Sequence, residues 1–161
     1  MSLTDAIELY AELALALAGF AGVASAFSGR ERRFRPVERL RLVGVVSLSA
    51  STFAGCLAHA VATIAGLSVL HASSIAALAN LVLLASLVIR ILPEFWRRSK
   101  DSDAQVDGYS IWLANSLFLG EIVLLAYTLF GFGGGWQLAL AFSLQLLHGL
   151  WLFFLLLTRE N

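Results

Sequence analysis

Leu42–Ile89, "LVGVVSLSASTFAGCLAHAVATIAGLSVLHASSIAALANLVLLASLVI", runs for 48 residues without an Asp, Glu, Lys or Arg. As one helix it would reach about 70 Å, against a hydrocarbon core of about 30 Å. The stretch is therefore expected to cross a bilayer twice. The break is expected at Gly66–Ser74, where Gly66 can end one helix and Ser73 or Ser74 can cap the next. Tyr109–Thr158 repeats the pattern, 50 residues with Glu121 as the one charge, and "GFGGG" at Gly131–Gly135 divides it. Upstream lies a shorter apolar run, Leu13–Phe27, long enough to span if its helix starts near Thr4.

These runs predict an all-α transmembrane helical bundle of five spans, near 5–28, 38–66, 74–92, 110–130 and 136–158, in a single integral membrane domain over residues 1–161. A β-barrel is excluded because apolar residues run continuously instead of alternating. Composition agrees: 59% of residues are hydrophobic, 14% are charged, and mean hydropathy is +0.82. A soluble domain is nearer half apolar and a quarter charged.

The charges orient the bundle. "GRERRFRPVERLRL", Gly29–Leu42, carries Arg30, Arg32, Arg33, Arg35, Arg39 and Arg41. The segment after the third helix carries Arg90, Arg97, Arg98 and Lys100, and the C-terminus carries Arg159. These are all 11 basic residues, and an even number of crossings separates the three places. Basic short loops stay cytoplasmic, so the N-terminus is expected outside and the C-terminus in the cytoplasm. Trp96, Tyr109 and Trp112 would form an inner aromatic belt, and Trp136 part of an outer one. The arginine cluster is also a candidate site for anionic lipid headgroups. It is not read as a nucleic-acid site: Glu31 and Glu38 interrupt it, no aromatic platform accompanies it, and net charge is zero. Ala24-Ser25-Ala26 fits a signal-peptidase pattern. However, the run before it opens with Asp5, Glu8 and Glu12 instead of basic residues, so the helix is expected to be retained.

In lipid, helices associate through close approach and hydrogen bonds. Ala14, Ala18, Gly22 and Ala26 recur every four residues on the first helix. Ala50, Ala54, Ala58, Ala62 and Gly66 do so on the second. Each series is expected to form a small-residue groove for a neighbouring helix or a second copy. Phe118, Phe130, Phe142, Phe153 and Phe154 are expected to face lipid or fill gaps.

Polar groups at membrane depth are functional candidates. Counting 1.5 Å per residue puts Glu121 and His148 near the bilayer centre, and Glu12 and His59 about 8–9 Å out from it. Two carboxylate–imidazole pairs at matching depth are thus expected, able to relay protons or to tie helices together. Gln137 and Gln145 share the His148 face; Thr52, Cys56, His59 and Thr63 make one face of the second helix; Asn80 lies in the outer half of the third. Glu12, His59, Asn80, Glu121, Gln145 and His148 are the candidate polar path, and His71 is expected in the outer loop.

No cofactor or metal is expected. The single cysteine, Cys56, leaves a Cys/His zinc site short of ligands, and His59 and His148 differ in depth by about 10 Å, too far for haem ligation. Asp101, Asp103 and Asp107 lack the glycine and glutamate of a calcium loop. No phosphate loop or nucleophile–base set appears, so no catalytic residue is named and enzymatic activity is not expected. Partners are the lipid bilayer, anionic headgroups, and a second copy or another membrane protein.

"AELALALAGFAGVASAF" followed by the arginine-rich loop and "ERLRL" resembles a family of uncharacterised small bacterial multi-pass inner-membrane proteins. The resemblance covers about the first 42 residues. It implies a bacterial inner membrane and no particular activity. Translocator/tryptophan-rich sensory proteins share the five-span layout, but they are proline- and tryptophan-rich, whereas this chain has only Pro36 and Pro93. The expected role is a non-catalytic assembly module or accessory subunit. The alternative is a small proton or cation channel or transporter.

Overall fold

The computed structural model describes residues 2–31, 36–98, 108–131 and 135–158. They form five helices: α1 (Leu3–Glu31), α2 (Pro36–Ile64), α3 (Val69–Arg98), α4 (Gly108–Leu129) and α5 (Trp136–Leu157). Four are long and apolar enough to cross a membrane; the apolar part of α4, Leu113–Leu129, is shorter.

The helix ends follow from local chemistry. Ser2 and Asp5 bond reciprocally at the start of α1: the Asp5 N–H donates to Ser2 Oγ at 3.2 Å and the Ser2 N–H to Asp5 Oδ2 at 2.8 Å. This is a capping box with Asp in place of Glu. Pro36 opens α2, where its missing N–H costs nothing. Gly66 closes it with φ of +81°. Its N–H donates to the Thr63 carbonyl at 3.0 Å, and that of Leu67 to Ala62 at 3.1 Å, the Schellman pattern. Gly131, φ +74°, ends α4 with an N–H to the Thr128 carbonyl.

α3 departs from the expected 74–92 at both ends. It begins at Val69 because Ser68, and neither Ser73 nor Ser74, supplies the cap: its Oγ accepts from the His71 N–H at 3.4 Å and lies 2.7 Å from His71 Nδ1. His71 is thus in the first turn of α3, exposed, instead of in a loop. At the other end α3 continues through Pro93 to Arg98.

α2 packs against α1, α3 and α5; α5 packs also on α1 and α4; and α3 meets α4. Leu3 sits over Gly135, and Ser74 Oγ donates to the Thr128 carbonyl at 3.3 Å. The start of α1, the α2–α3 turn and the α4–α5 turn therefore share one end of the bundle, the upper end. At the lower end Leu152 lies over Gly44, and Arg41 Nη1 donates to the Leu155 carbonyl at 2.8 Å. Sequential helices run antiparallel.

Large apolar side chains face outward while several polar ones are buried inside. Ile64, Ile89 and Phe130 are 86%, 74% and 72% exposed, while Thr52, Asn80 and Glu121 have no exposure at all. That inversion, with four span-length helices, fits a protein whose outer solvent is lipid.

The two small-residue series lie only partly on the packed faces of the bundle. On α1 Ala14 is buried, Ala18 half-buried, and Gly22 and Ala26 are exposed; on α2 Ala50 and Gly66 are exposed, Ala54 and Ala58 half-buried, and only Ala62 is buried. A series spaced by four drifts about 40° per step on a helix of 3.6 residues per turn, so it winds off the packed face. The buried stripe of α1 is instead Ala6, Ile7, Ala14, Leu17 and Ala21. Phe142 is fully buried, while Phe130 and Phe154 face outward. Trp136 is 60% exposed at the upper end; the side chains of Trp96, Tyr109 and Trp112 lie outside the described residues.

Candidate functional site: three buried polar layers

Ser51, Thr52, Asn80 and Gln145 meet at mid-bundle and join α2, α3 and α5. Gln145 Nε2 donates to Ser51 Oγ at 2.8 Å and to Asn80 Oδ1 at 3.1 Å. Asn80 Nδ2 donates to Gln145 Oε1 at 2.9 Å and to the Ser51 carbonyl at 3.2 Å. The Thr52 hydroxyl lies 2.8 Å from Gln145 Oε1 and 3.0 Å from the Leu48 carbonyl, and Ser51 Oγ donates to that same carbonyl at 2.9 Å. Every amide proton is used and Gln145 Oε1 accepts twice. A network closed in this way rigidifies the helices it joins and has no proton left to offer a ligand.

One turn lower, α4 is tied to α5. His148 Nδ1 lies 3.0 Å from Glu121 Oε1, and the ring of Phe118 meets the imidazole edge-on with centroids 6.5 Å apart. Glu121 Oε2 is buried without a partner. Glu121 has no exposure and the His148 side chain 9%, so the imidazole is the open side of the pair. An apolar groove of about 410 Å³ between α3 and α4 is walled by Phe118 and Ile122 together with Leu84 and Val88.

Just above the amide network lies an apolar layer. Phe142 seats on Gly55, where an added Cβ would fall 2.7 Å from Phe142 Cζ, and Cys56, Ala76, Ala77 and Leu138 belong to the same cluster. Beyond it stands His59, 3% exposed, with Nε2 lacking a partner. On the α1 side Tyr10 bonds Ser143 at 2.7 Å and meets Phe142 edge-on.

The six candidate path residues thus fall into separate groups. Glu121 meets His148, and Asn80 meets Gln145. The expected Glu12–His59 pair does not form. Tyr10 with Ser143 and Leu17 with Gly149 fix the α1–α5 register, and Thr52 with Gln145 fixes that of α2 with α5. His59 then lies level with Ala6, about 9 Å above Glu12 at 1.5 Å per residue, and Glu12 is exposed. Counting from helix ends misplaced the pair because it ignores the stagger between helices.

Of the arginine cluster, Arg39 is exposed. Arg41 is committed to the α5 carbonyl of Leu155, one of the carbonyls that a helix end leaves without a partner. The side chains of Arg30, Arg32, Arg33 and Arg35 lie outside the described residues, as do those of Arg97, Arg98, Lys100 and Arg159, and the Asp101–Asp107 segment. Among the described residues no group of three His, Cys, Asp or Glu side chains could hold a metal ion. Ser51, Tyr10 and Ser143 were not legible as site residues. The available signals were a serine beside Thr52 on the polar face, and a tyrosine inside an apolar helix whose hydroxyl needs a partner.

Comparison with protein-family models, curated proteins and solved structures finds no match to this chain.

Proposed function

We propose that the protein is a five-span membrane module that works by lateral assembly, with a second copy or with another membrane protein. The observation that carries this is the state of its glycines. Gly44, Gly55 and Gly149 are used by the fold: an added Cβ at each would fall within 3.0 Å of a side chain on another helix. Gly19 and Gly22 on α1 are exposed, and a Cβ there would meet nothing. Glycines on a lipid-facing helix let another backbone approach closely, and Ala18 and Ala26 continue the same side. Mass measurement of the protein in detergent or nanodiscs tests it. An assembly is expected, reduced to the monomer in Gly19→Ile/Gly22→Ile without loss of thermal stability; a parent protein that is monomeric and carries nothing with it sinks the proposal.

The accompanying placement is a bacterial inner membrane with the N-terminus outside and the arginine-bearing end in the cytoplasm, where Arg39 and its neighbours meet anionic headgroups. It rests on the distribution of basic residues.

A second reading is a proton or cation carrier, favoured by the buried Glu121–His148 pair. The apolar Phe142 layer separates that pair from His59, so conduction would require α5 to move. Liposome flux in the parent, lost in Glu121→Gln and His148→Ala, would support it; no flux in the parent ends it.

A further inference from the structure

The amide network has a counterpart two turns nearer the upper end. Seven residues along each helix, Thr52 is succeeded by His59, Asn80 by Ser73 and Gln145 by Leu138. On antiparallel neighbours a seven-residue step preserves both face and level. By this register His59 and Ser73 fall at one level, each on the packed face of its helix. Both are buried, at 3% and 1% exposure, and neither His59 Nε2 nor Ser73 Oγ has a partner.

The difference between the layers is the third member. In the lower one, Gln145 Oε1 is the atom that both Thr52 and Asn80 reach. In the upper one that position is Leu138, fully buried and with no polar atom. Two polar groups face the place of a bridge that the side chain cannot supply. Leaving either unsatisfied costs the desolvation of a buried donor or acceptor. Replacing His59 and Ser73 with apolar residues would have avoided that cost.

We propose that a single water molecule stands in for the missing amide, bridging His59 Nε2 and Ser73 Oγ and tying α2 to α3 above the Phe142 layer. Water is the ligand that fits: it both donates and accepts, so it serves either imidazole tautomer, and buried waters in proteins bond to polar groups that otherwise lack partners. The bridge is local to α2, α3 and α5 and does not depend on the assembly proposed above.

Placing the amide back at Leu138 tests this in the full-length protein. Leu138→Gln is compared in two backgrounds, the parent and His59→Phe/Ser73→Ala, by thermal unfolding in detergent. With partners present the new amide replaces the water; without them it is stranded. Its effect on Tm is expected to be more favourable in the parent by about 3 °C or more. An equal effect in both backgrounds overturns the proposal. If Leu138→Gln does not fold, the cycle of His59→Phe and Ser73→Ala decides. A shared water makes the double variant no less stable than the worse single one, and additive losses overturn the bridge. A high-resolution structure should show density bonded to both atoms in the parent, and a dry contact there also overturns it.

Discussion

Gln145 uses both amide protons and accepts two hydrogen bonds, so one side chain ties α5 to both α2 and α3. Gln145→Leu fills the space but leaves Asn80 with only its bond to the Ser51 carbonyl and removes the donor to the Ser51 hydroxyl. A single hydrogen bond between membrane helices contributes only about 0.6 kcal/mol on average. Stranding buried partners is the larger effect, and a loss of about 1–3 kcal/mol is expected in a mixed-micelle unfolding titration; an unchanged midpoint would show that the network is dispensable. Gly55 offers a steric test beside it. An alanine Cβ would fall 2.7 Å from Phe142 Cζ and 3.3 Å from Asn80 Nδ2, so Gly55→Ala should destabilise by about 1–3 kcal/mol through overpacking. Phe142→Leu in the same background should recover part of that loss. At Glu121 and His148 the burial is asymmetric. His148→Ala leaves a carboxyl group with no partner at either oxygen and should cost more than Glu121→Gln, which keeps a hydrogen-bonding group against Nδ1; equal costs would mean that the bond itself contributes little.

Among the elements, α2 is the hub, and its upper end depends on one backbone conformation. Gly66 at φ +81° closes the helix, and Gly66→Ala would put a Cβ in the left-handed region at about 1–2 kcal/mol. Gly22→Ala on α1 meets nothing within 4 Å and should leave monomer stability unchanged, so comparing the two variants by thermal unfolding separates glycines needed for conformation from those exposed on a surface. The elements were legible to different degrees. The start of α5 and the Gly66 stop follow from turn chemistry and apolar run length. The start of α3 did not, because Ser68, Ser73 and Ser74 are equivalent as letters and only the backbone shows which hydroxyl reaches an N–H. Its continuation past Pro93 was hidden because a proline reads as a helix stop, whereas here the helix runs on to Arg98.

For the whole molecule, the described basic side chains Arg39, Arg41 and Arg90 belong to the lower half, and the α2–α3 turn, with exposed Leu67, marks the upper end. In a Cys56→Ala background, cysteines at Arg39 and Arg90 should be labelled from one face of the membrane and a cysteine at Leu67 from the other. In intact cells a membrane-impermeant reagent is expected to reach position 67 alone. Labelling of 39 and 67 from the same face would break the up-and-down threading and the placement of the polar layers along it.

Taken by itself, the sequence determined that this chain is helical and rich in helices apolar enough for lipid, four of them of spanning length, because runs of 48 and 50 residues with at most one charge must be divided into several helices. It also put Glu121 and His148 at similar depth, since rise per residue is fixed. Tertiary structure alone decided which polar side chains meet. That Gln145 finds Asn80 and Ser51, that Glu12 faces outward, and that the alanine series leave the packed face all depend on helix rotation and stagger. Those two quantities are set by how side chains of different helices fit, and a one-dimensional count carries neither.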